Sequence, residues 1–308
     1  MKVPRIPCAG ETLIGTGYRV DFGGKGSNQA VGCARLGACV DFIAKIGQDN
    51  FAATALQLYR EEGIDVTHVK QTSEAPTGVG FIVVEENSGQ NSIVLDPGAN
   101  ELLSASDVSG ATSVFQHAAV VLTQLEIPVE AATEALSEGR SAGALTILNP
   151  APVRPLPPSM FALIDIITPN ESEAKVLTGR SPDDSTTPQL IAEDLIRFGV
   201  RKVVMTLGEN GALLVEPQSS KQFPALKVKA VDTTGAGDAF NAALATALSH
   251  KTTIEDAIQF AVIVGGMAVT KEGVIPSLPR REEVLDFCRL HNRKAPSWLA
   301  VQPSEETR

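Results

Sequence analysis

Residues 231–241 read Val-Asp-Thr-Thr-Gly-Ala-Gly-Asp-Ala-Phe-Asn, a glycine-rich turn with an acid at the point where a helix is expected to begin. The helix is predicted because apolar residues recur at the spacing of one helix face, at Phe240, Ala243, Leu244, Ala247 and Leu248. Backbone N–H groups without helical partners and the positive end of the helix dipole converge on residues 234–237. The turn is therefore a natural anion site.

The acid of this turn, Asp238, points to phosphoryl transfer. Because a carboxylate beside an anion site is electrostatically unfavourable, we interpret Asp238 as a base that accepts a proton from a hydroxyl group. That hydroxyl would attack a phosphoryl group bound by the N–H groups of the turn. The alternative is a plain junction between two elements, with a glycine as C-cap and the aspartate as N-cap.

A second glycine-rich turn lies near the start of the chain, where residues 22–30 read Phe-Gly-Gly-Lys-Gly-Ser-Asn-Gln-Ala. A helix is predicted over residues 28–36, with Gly37 as its C-terminal stop. The paired glycines let the backbone approach a ligand closely, Lys25 supplies a cation, and the Asn28 amide can both donate and accept. The spacing matches neither a P-loop nor a G-x-G-x-x-G turn, and the residues alone leave an ordinary turn open.

Both turns closely resemble signatures of the ribokinase-like (PfkB) carbohydrate kinases, D-T-x-G-A-G-D for the first and G-G-K-G-x-N-Q-A for the second. The resemblance runs from about residue 4 to about residue 289 and implies a single kinase domain over residues 1–308. It implies ATP-dependent phosphorylation of a pentose, D-ribose to D-ribose 5-phosphate, with Asp238 as the catalytic base. The anion hole that it implies consists of Thr234, Gly235, Ala236 and Gly237. The implied sugar contacts are Asp238, Glu126, Gly24, Lys25, Gly26, Ser27 and Asn28.

The same resemblance implies a nucleotide-binding region, formed by residues that follow two further apolar runs. Asn170 would lie near the phosphates of ATP, and Glu173 would organise Mg²⁺, in part through water, in keeping with the preference of magnesium for oxygen ligands. The other implied ATP contacts are Thr206, Leu207, Gly208, Glu209, Asn210, Gly211 and Gly237. The residues alone allow other interpretations. Asn170 and Glu173 also suit helix capping, and residues 206–211 also suit a hairpin turn. Glu126 equally reads as a solvent-exposed residue at a strand end.

A monovalent cation site is the last site that the resemblance implies, and its expected occupant is K⁺. The ligands carried over are Asp232, Thr234, Ala268, Lys271, Gly273 and Ser277. Lys271 would contribute its backbone carbonyl, since an ammonium group has no lone pair to give a cation. Residues 270–273 also read as an ordinary helix C-terminus.

The order of apolar runs predicts an α/β fold. Strands are expected at residues 40–46, 119–125, 145–148, 164–168 and 202–207, and helices at 49–62, 129–140, 172–177, 189–198 and 253–269. Their alternation predicts a doubly wound, mostly parallel sheet with helices on both faces and ligands at the carboxyl ends of the strands.

Two regions break this alternation and predict a small antiparallel β lid. Short strands are expected within residues 11–22 and 78–95, the latter at 78–84 and 92–95 with a hairpin turn at 86–90. A lid of this kind shields phosphoryl transfer from water. In the family that the chain resembles, the lid also forms a dimer contact, so a homodimer is expected.

The resemblance has one departure. The family begins with an apolar strand and an aspartate that grips the sugar, whereas residues 4–12 resemble the segment after them. The sheet is therefore expected to lack an internal strand. Two alternatives stay open: another PfkB kinase acting on fructose, deoxyribose or adenosine, or, because of this departure, a catalytically impaired paralogue that still binds nucleotide.

Composition excludes several other classes of function. The 308 residues are 43% hydrophobic, enough for a sizeable core, and the net charge of −10 argues against nucleic acid and anionic membranes as partners. The four cysteines show no C-x-x-C spacing, which predicts thiols in a reducing compartment. Because residues 1–10 lack an apolar leader pattern and no run approaches ~18 apolar residues, a cytoplasmic chain is expected.

Overall fold

The computed structural model describes residues 1–86 and 91–300, and strands and helices alternate along most of this length. The strands are β1 (Lys2–Val3), β2 (Ala44–Gly47), β3 (Val69–Thr72), β4 (Val79–Glu85), β5 (Asn91–Asp96), β6 (Val120–Thr123), β7 (Leu145–Leu148), β8 (Ile166–Ile167), β9 (Lys202–Thr206), β10 (Ala212–Glu216) and β11 (Ser219–Phe223). The helices are α1 (Lys25–Arg35), α2 (Asn50–Glu61), α3 (Ala105–Ser109), α4 (Thr112–Phe115), α5 (Val129–Ser141), α6 (Pro158–Phe161), α7 (Glu171–Leu177), α8 (Pro188–Arg197), α9 (Ala236–Ser249), α10 (Ile254–Ala268) and α11 (Arg281–Leu290).

A six-stranded sheet in the order β11-β10-β9-β8-β7-β6 forms the centre of the fold. Strands β6 to β9 run parallel, and β10 and β11 add an antiparallel edge. Successive residues of the central strands enter different apolar clusters, because neighbouring side chains of a strand point to opposite faces. Ile166 packs with α1, α9 and α10 on one face, and Ile167 packs with α5, α7 and α8 on the other. The predicted doubly wound α/β class is confirmed.

The predicted helices match the structure to within a few residues, and the predicted strands are partly shorter. The strand expected at 164–168 is present only as the two residues of β8, and the one expected at 40–46 begins at Ala44. Before Ala44, Asp41 makes a single parallel bridge to Asp65, and Phe42 packs edge-on against Tyr59. Packing of this stretch onto α2 therefore replaces the first half of the expected strand.

The lid is a three-stranded sheet in the order β1-β4-β5. Strands β4 and β5 pair antiparallel, as predicted for residues 78–84 and 92–95, and the predicted turn at 86–90 falls largely outside the described residues. The strand expected within residues 11–22 is wrong: Thr16 makes one bridge to Lys2, and β1 pairs with β4 instead. Gly17 has φ of +61°, outside the extended region, so the pairing that starts at Thr16 cannot continue.

Strand β6 is the edge strand of the six-stranded sheet opposite β11. Strands β2 and β3 form a separate parallel pair. Val120 and Leu122 of β6 are partly buried against the main apolar cluster, and so is Phe42 before β2. In the part of the chain that the structure describes, no helix is long and apolar enough to span a lipid bilayer.

Candidate active site

The turn before α9 has a backbone that only glycine adopts easily. Gly235 is the residue before the helix, with φ of +79°, and a Cβ there would lie 2.5 Å from Cγ1 of Val274. The N–H of Thr234 donates to the Asp232 carboxylate, and the N–H of Ala236 donates to a carbonyl within the turn. Within residues 1–86 and 91–300, no acceptor is found for the N–H of Gly235 or Gly237. These two N–H groups are thus the ones open to an anion.

Asp238 lies in the first turn of α9 and is only 5% exposed. The amide of Asn28 donates to its Oδ2 at 2.8 Å, and the amide of Gln29 donates to its Oδ1 at 2.8 Å. Burial raises the pKa of the Asp238 carboxyl, while Lys25 and the two amide hydrogen bonds act to lower it. Both glycine-rich turns of the sequence therefore meet at one buried carboxylate.

Asn28, which donates to this carboxylate, has an unused acceptor. Its side chain is 4% exposed, its Nδ2 is committed to Asp238, and its Oδ1 has no partner among the described residues. Leaving a buried acceptor unpaired costs about 1–3 kcal/mol. A hydroxyl group of a bound ligand would relieve that cost.

Glu126 holds the glycine-rich turn of residues 22–30 in place. Its Oε2 accepts a hydrogen bond from the Lys25 backbone N–H at 2.7 Å, and it would lie 3.7 Å from a Cβ on Gly24, where φ is +88°. Burial raises the pKa of Glu126, and the hydrogen bond and charge of Lys25 oppose that rise. The predicted sugar contact thus also braces the turn, whereas Ser27 is buried next to Tyr59.

A cavity of about 180 Å³ lies beside Asp238 and the turn before α9, at the carboxyl ends of the central strands. Its lining residues are Lys25, Asn149, Ala151, Thr168, Asn170, Glu173, Thr206, Gly235, Gly237, Asp238 and Asn241. Motif reading missed Asn149, Ala151, Thr168 and Asn241. Asn149 and Thr168 directly follow β7 and β8, so the rule that ligands bind where parallel strands end was the signal that could have found them.

Asn170 and Glu173 cap α7 and line the cavity at the same time. The Asn170 side chain accepts from the Glu173 N–H at 2.8 Å, and the Glu173 carboxylate accepts from the Asn170 N–H at 2.8 Å. Burial raises the pKa of Glu173, and the backbone hydrogen bond and Lys25 act against it. Capping and a place at the site are therefore compatible here.

The predicted ATP contacts divide between the cavity and an adjoining groove. Thr206 and Gly237 line the cavity, whereas Glu209 and Asn210 line a groove of about 800 Å³. Leu207 closes the turn between them by donating to the Gly211 carbonyl at 2.8 Å. The groove also has walls that no sequence motif indicated, namely Gln222, Pro224, Ala225, Leu226, Lys227, Val228 and Lys229.

Asp232 joins the two segments predicted to hold a monovalent cation. Its carboxylate accepts from the Thr234 N–H at 2.9 Å and from the Gly273 N–H at 3.0 Å. Burial would raise the pKa of Asp232, but the hydrogen bonds from Thr234 and Gly273 outweigh it and lower the pKa. Lys271 turns its ammonium group to Glu283 at 2.6 Å, so its side chain is bound elsewhere. Ala268 ends α10, and Ser277 donates to the Val274 carbonyl.

Comparison with known proteins decides the family. The profile of the pfkB family carbohydrate kinases matches residues 2–281. The chain belongs to the pfkB family of carbohydrate kinases. A ribokinase of Haemophilus influenzae is 40% identical over 93% of this chain and 94% of its own length. A deoxyribokinase of Salmonella typhi is 34% identical over 93% of this chain and 94% of its own length.

Solved structures of ribokinases share the fold of this pfkB-family kinase. The ribokinase of Thermotoga maritima superposes with a TM-score of 0.85, at 36% identity, over 94% of each chain. An Arabidopsis thaliana ribokinase complexed with ribose and ATP superposes with a TM-score of 0.83, at 30% identity, over 92% of this chain and 93% of that chain.

Proposed function

We propose that this pfkB-family kinase transfers the γ-phosphoryl group of ATP to the primary hydroxyl of D-ribose, giving D-ribose 5-phosphate and ADP. The observation that carries the proposal is the buried Asp238 carboxylate between an unpaired Asn28 acceptor and the N-terminal turn of α9. The ribokinase names of the relatives support ribose as the sugar, and the Arabidopsis complex supports ATP as the donor. Deoxyribose is the second candidate, because a deoxyribokinase is among the relatives.

The proposed reaction uses residues of both turns. Asp238 accepts the proton of the sugar hydroxyl while that oxygen bonds to the γ-phosphorus, and the bond to the leaving oxygen of ADP breaks. The N–H groups of Gly235 and Gly237, with the dipole of α9, stabilise the charge on the transferred group. Asn28 and Glu126 position the sugar. ATP lies along Asn170 and the turn that starts at Thr206.

Magnesium fits this arrangement through Glu173, which lines the cavity together with Asn170. In the described part of the chain, no three His, Cys, Asp or Glu side chains are grouped so that they could hold a metal ion. Magnesium commonly keeps water and substrate phosphates as ligands, so one protein carboxylate at the cavity wall is compatible with it. When bound, Mg²⁺ would neutralise part of the phosphate charge.

The sugar is best tested by measuring ADP release with ribose, deoxyribose, fructose and adenosine, each in potassium and magnesium. We expect turnover with ribose, and kcat/KM lower for deoxyribose because a site that hydrogen-bonds a hydroxyl discriminates against its absence. A higher kcat/KM for deoxyribose than for ribose would show that deoxyribose is the preferred substrate. No turnover with any of the four, from a folded sample, would favour a catalytically impaired nucleotide-binding protein.

A potassium requirement is part of the proposal, with Asp232 as the charged ligand and carbonyl oxygens and Ser277 around it. The ionised Asp232 carboxylate accepts a hydrogen bond from the Thr234 N–H, next to Gly235 in the anion turn. A cation bound to Asp232 would therefore lie close to the N–H groups that bind the phosphoryl group. When choline replaces potassium, we expect kcat to fall about tenfold, which corresponds to about 1.4 kcal/mol of lost transition-state stabilisation.

A matched pair of variants locates this cation. Asp232→Asn should remove the response of kcat to potassium, whereas Glu272→Gln, at an exposed carboxylate of the adjoining loop, should retain it. If wild-type kcat is the same in potassium and in choline, the cation site is wrong.

A homodimer through the lid is also proposed. Large apolar side chains are exposed on the lid sheet and on the segment beside it: Phe81 at 63%, Val94 at 66%, Ile14 at 89% and Tyr18 at 74%. Phe81 and Val94 lie opposite each other in the β4–β5 pair, and exposed apolar surface of this kind marks interaction sites.

Size-exclusion chromatography with light scattering tests the dimer. We expect wild type at twice the chain mass and Phe81→Asp shifted towards the monomer, because the substitution places a charge in the proposed apolar contact. Leu290→Asp, at an exposed apolar residue of α11, is the matched control and should leave the mass unchanged. A monomeric wild type across the micromolar range would refute the lid contact.

A further inference from the structure

Gln29 is a residue that the proposed reaction does not yet use. Its side chain is 1% exposed and sits one residue after Asn28 in α1. The Nε2 atom donates to Oδ1 of Asp238 at 2.8 Å and to Oδ1 of Asn149 at 3.0 Å, and the Oε1 atom accepts from Nε2 of Gln124. Both N–H groups and the oxygen of this buried amide are therefore engaged.

The neighbours of Gln29 dictate which way its amide faces. The Gln124 amide nitrogen donates to the Gln29 oxygen. Asn149 donates through Nδ2 to the Thr168 carbonyl at 3.2 Å, which leaves Asn149 Oδ1 towards Gln29 as an acceptor. Two contacts from different strand ends thus turn the Gln29 nitrogen towards Asp238.

We propose that Gln29 is a positioning residue of the phosphoryl transfer, which fixes the orientation and the ionised state of the Asp238 carboxyl through the chain Gln124–Gln29–Asp238, anchored by Asn149. The inference rests on the proposed function, in which Asp238 is the base. An amide N–H can only donate, so it stabilises a carboxylate better than a carboxylic acid. A base held in this way is ready to accept the proton of the attacking hydroxyl.

The side-chain amides of Asn28 and Gln29 act on Asp238 in a way that the charged groups around it do not. Lys25 at the start of α1 favours the ionised carboxylate, whereas Glu126 after β6 and Glu173 of α7 are carboxylates that interact unfavourably with it. Burial raises the pKa of Asp238, and the hydrogen bonds from Asn28 and Gln29 work against that rise. The ammonium group acts through its charge, whereas the two amides also set the direction of the carboxylate oxygens.

The first test compares pH–rate profiles of wild type, Gln29→Met and Gln57→Met with ribose and ATP. Methionine keeps the length of Gln29 without donors, and Gln57 is an exposed control on α2 whose amide contacts Glu61. For Gln29→Met we expect the acid limb to move up by about 1 pH unit, so that kcat on that limb falls about tenfold, with an unchanged KM for ATP. The loss should shrink on the plateau above the limb, where Asp238 is ionised in both proteins.

A uniform loss of kcat at every pH, with no displaced acid limb, would overturn the proposal, since that is what general damage to packing produces. Gln124→Met covers the case in which Gln29→Met fails to fold. It removes the orienting bond at a partly exposed strand end and should move the acid limb in the same direction by less. An unmoved limb in this folded variant would also contradict the inference.

A second measurement separates this inference from the proposed function. Carbon-13 NMR of labelled aspartate carboxyls follows the titration of Asp238 without any substrate, with Asp238→Asn to assign the signal. A raised midpoint in Gln29→Met, in a protein that phosphorylates none of the sugars, would support the hydrogen-bond role and refute the kinase assignment. Turnover of ribose with an unmoved midpoint would retain the kinase and overturn the role of Gln29.

Discussion

Asp238→Asn is expected to lower kcat by about 10²–10⁴-fold while the affinity for ATP stays close to that of wild type, because asparagine keeps the shape of the base but cannot accept the proton. In the proposed site the phosphates are bound by backbone N–H groups and by the ends of α7 and β9, which the substitution does not touch. Turnover from ADP release and the dissociation constant of ATP from calorimetry measure the two quantities separately. Equal losses in both would remove Asp238 from the role of base.

The same variant should not lose stability at neutral pH. The folded-state pKa of Asp238 is raised, so the contribution of this carboxyl to stability is complete below the unfolded pKa of about 3.9 and is lost as pH rises through the folded value. Asparagine removes the buried charge. Asn28 can also turn its amide, since its Oδ1 is unpaired, and accept from the new donor.

Thermal unfolding at two pH values checks this expectation. The melting temperature of Asp238→Asn should equal or exceed that of wild type at pH 7, and the difference should shrink as the pH falls towards the unfolded pKa. A melting temperature well below wild type at pH 7 would show that Asp238 has a structural role that outweighs the cost of its burial.

Gly237→Ala is expected to fold normally and to lower kcat/KM by about 10²–10³-fold. A Cβ at Gly237 meets no protein atom within 4 Å, and the residue lines the cavity. The methyl group would therefore occupy space that a phosphoryl group needs to reach the N–H groups of the turn. Alanine is also the better helix former by about 1 kcal/mol, so stability should be equal or slightly higher.

Gly235→Ala is the matched control, two residues away in the same turn. Its Cβ would lie 2.5 Å from Val274, and its φ of +79° is strained for any residue with a side chain. This variant should lose stability, whereas Gly237→Ala should lose activity alone. If Gly237→Ala keeps wild-type kcat/KM, the anion does not bind at this turn.

Much of the fold follows from local patterns in the chain. Strands β7 and β9 are short apolar runs that begin where the sequence predicts, and α10 follows the helical period within a residue of its expected ends. The error at residues 11–22 has a local cause that the alternation of residues did not reveal. Gly17 adopts a positive φ, and the two-residue strand β1 supplies the pairing with β4.

The sequence by itself determined the two glycine-rich turns, the helices that follow them and the acid at Asp238, because backbone freedom and helical periodicity are properties of neighbouring residues. Only the tertiary structure decided that Gln29 meets Asp238, 209 residues away, and that Gln124 and Asn149 orient its amide. Such contacts depend on how α1 and α9 pack on one face of the sheet. No local pattern encodes that packing, since it is set by the summed burial of many distant apolar side chains.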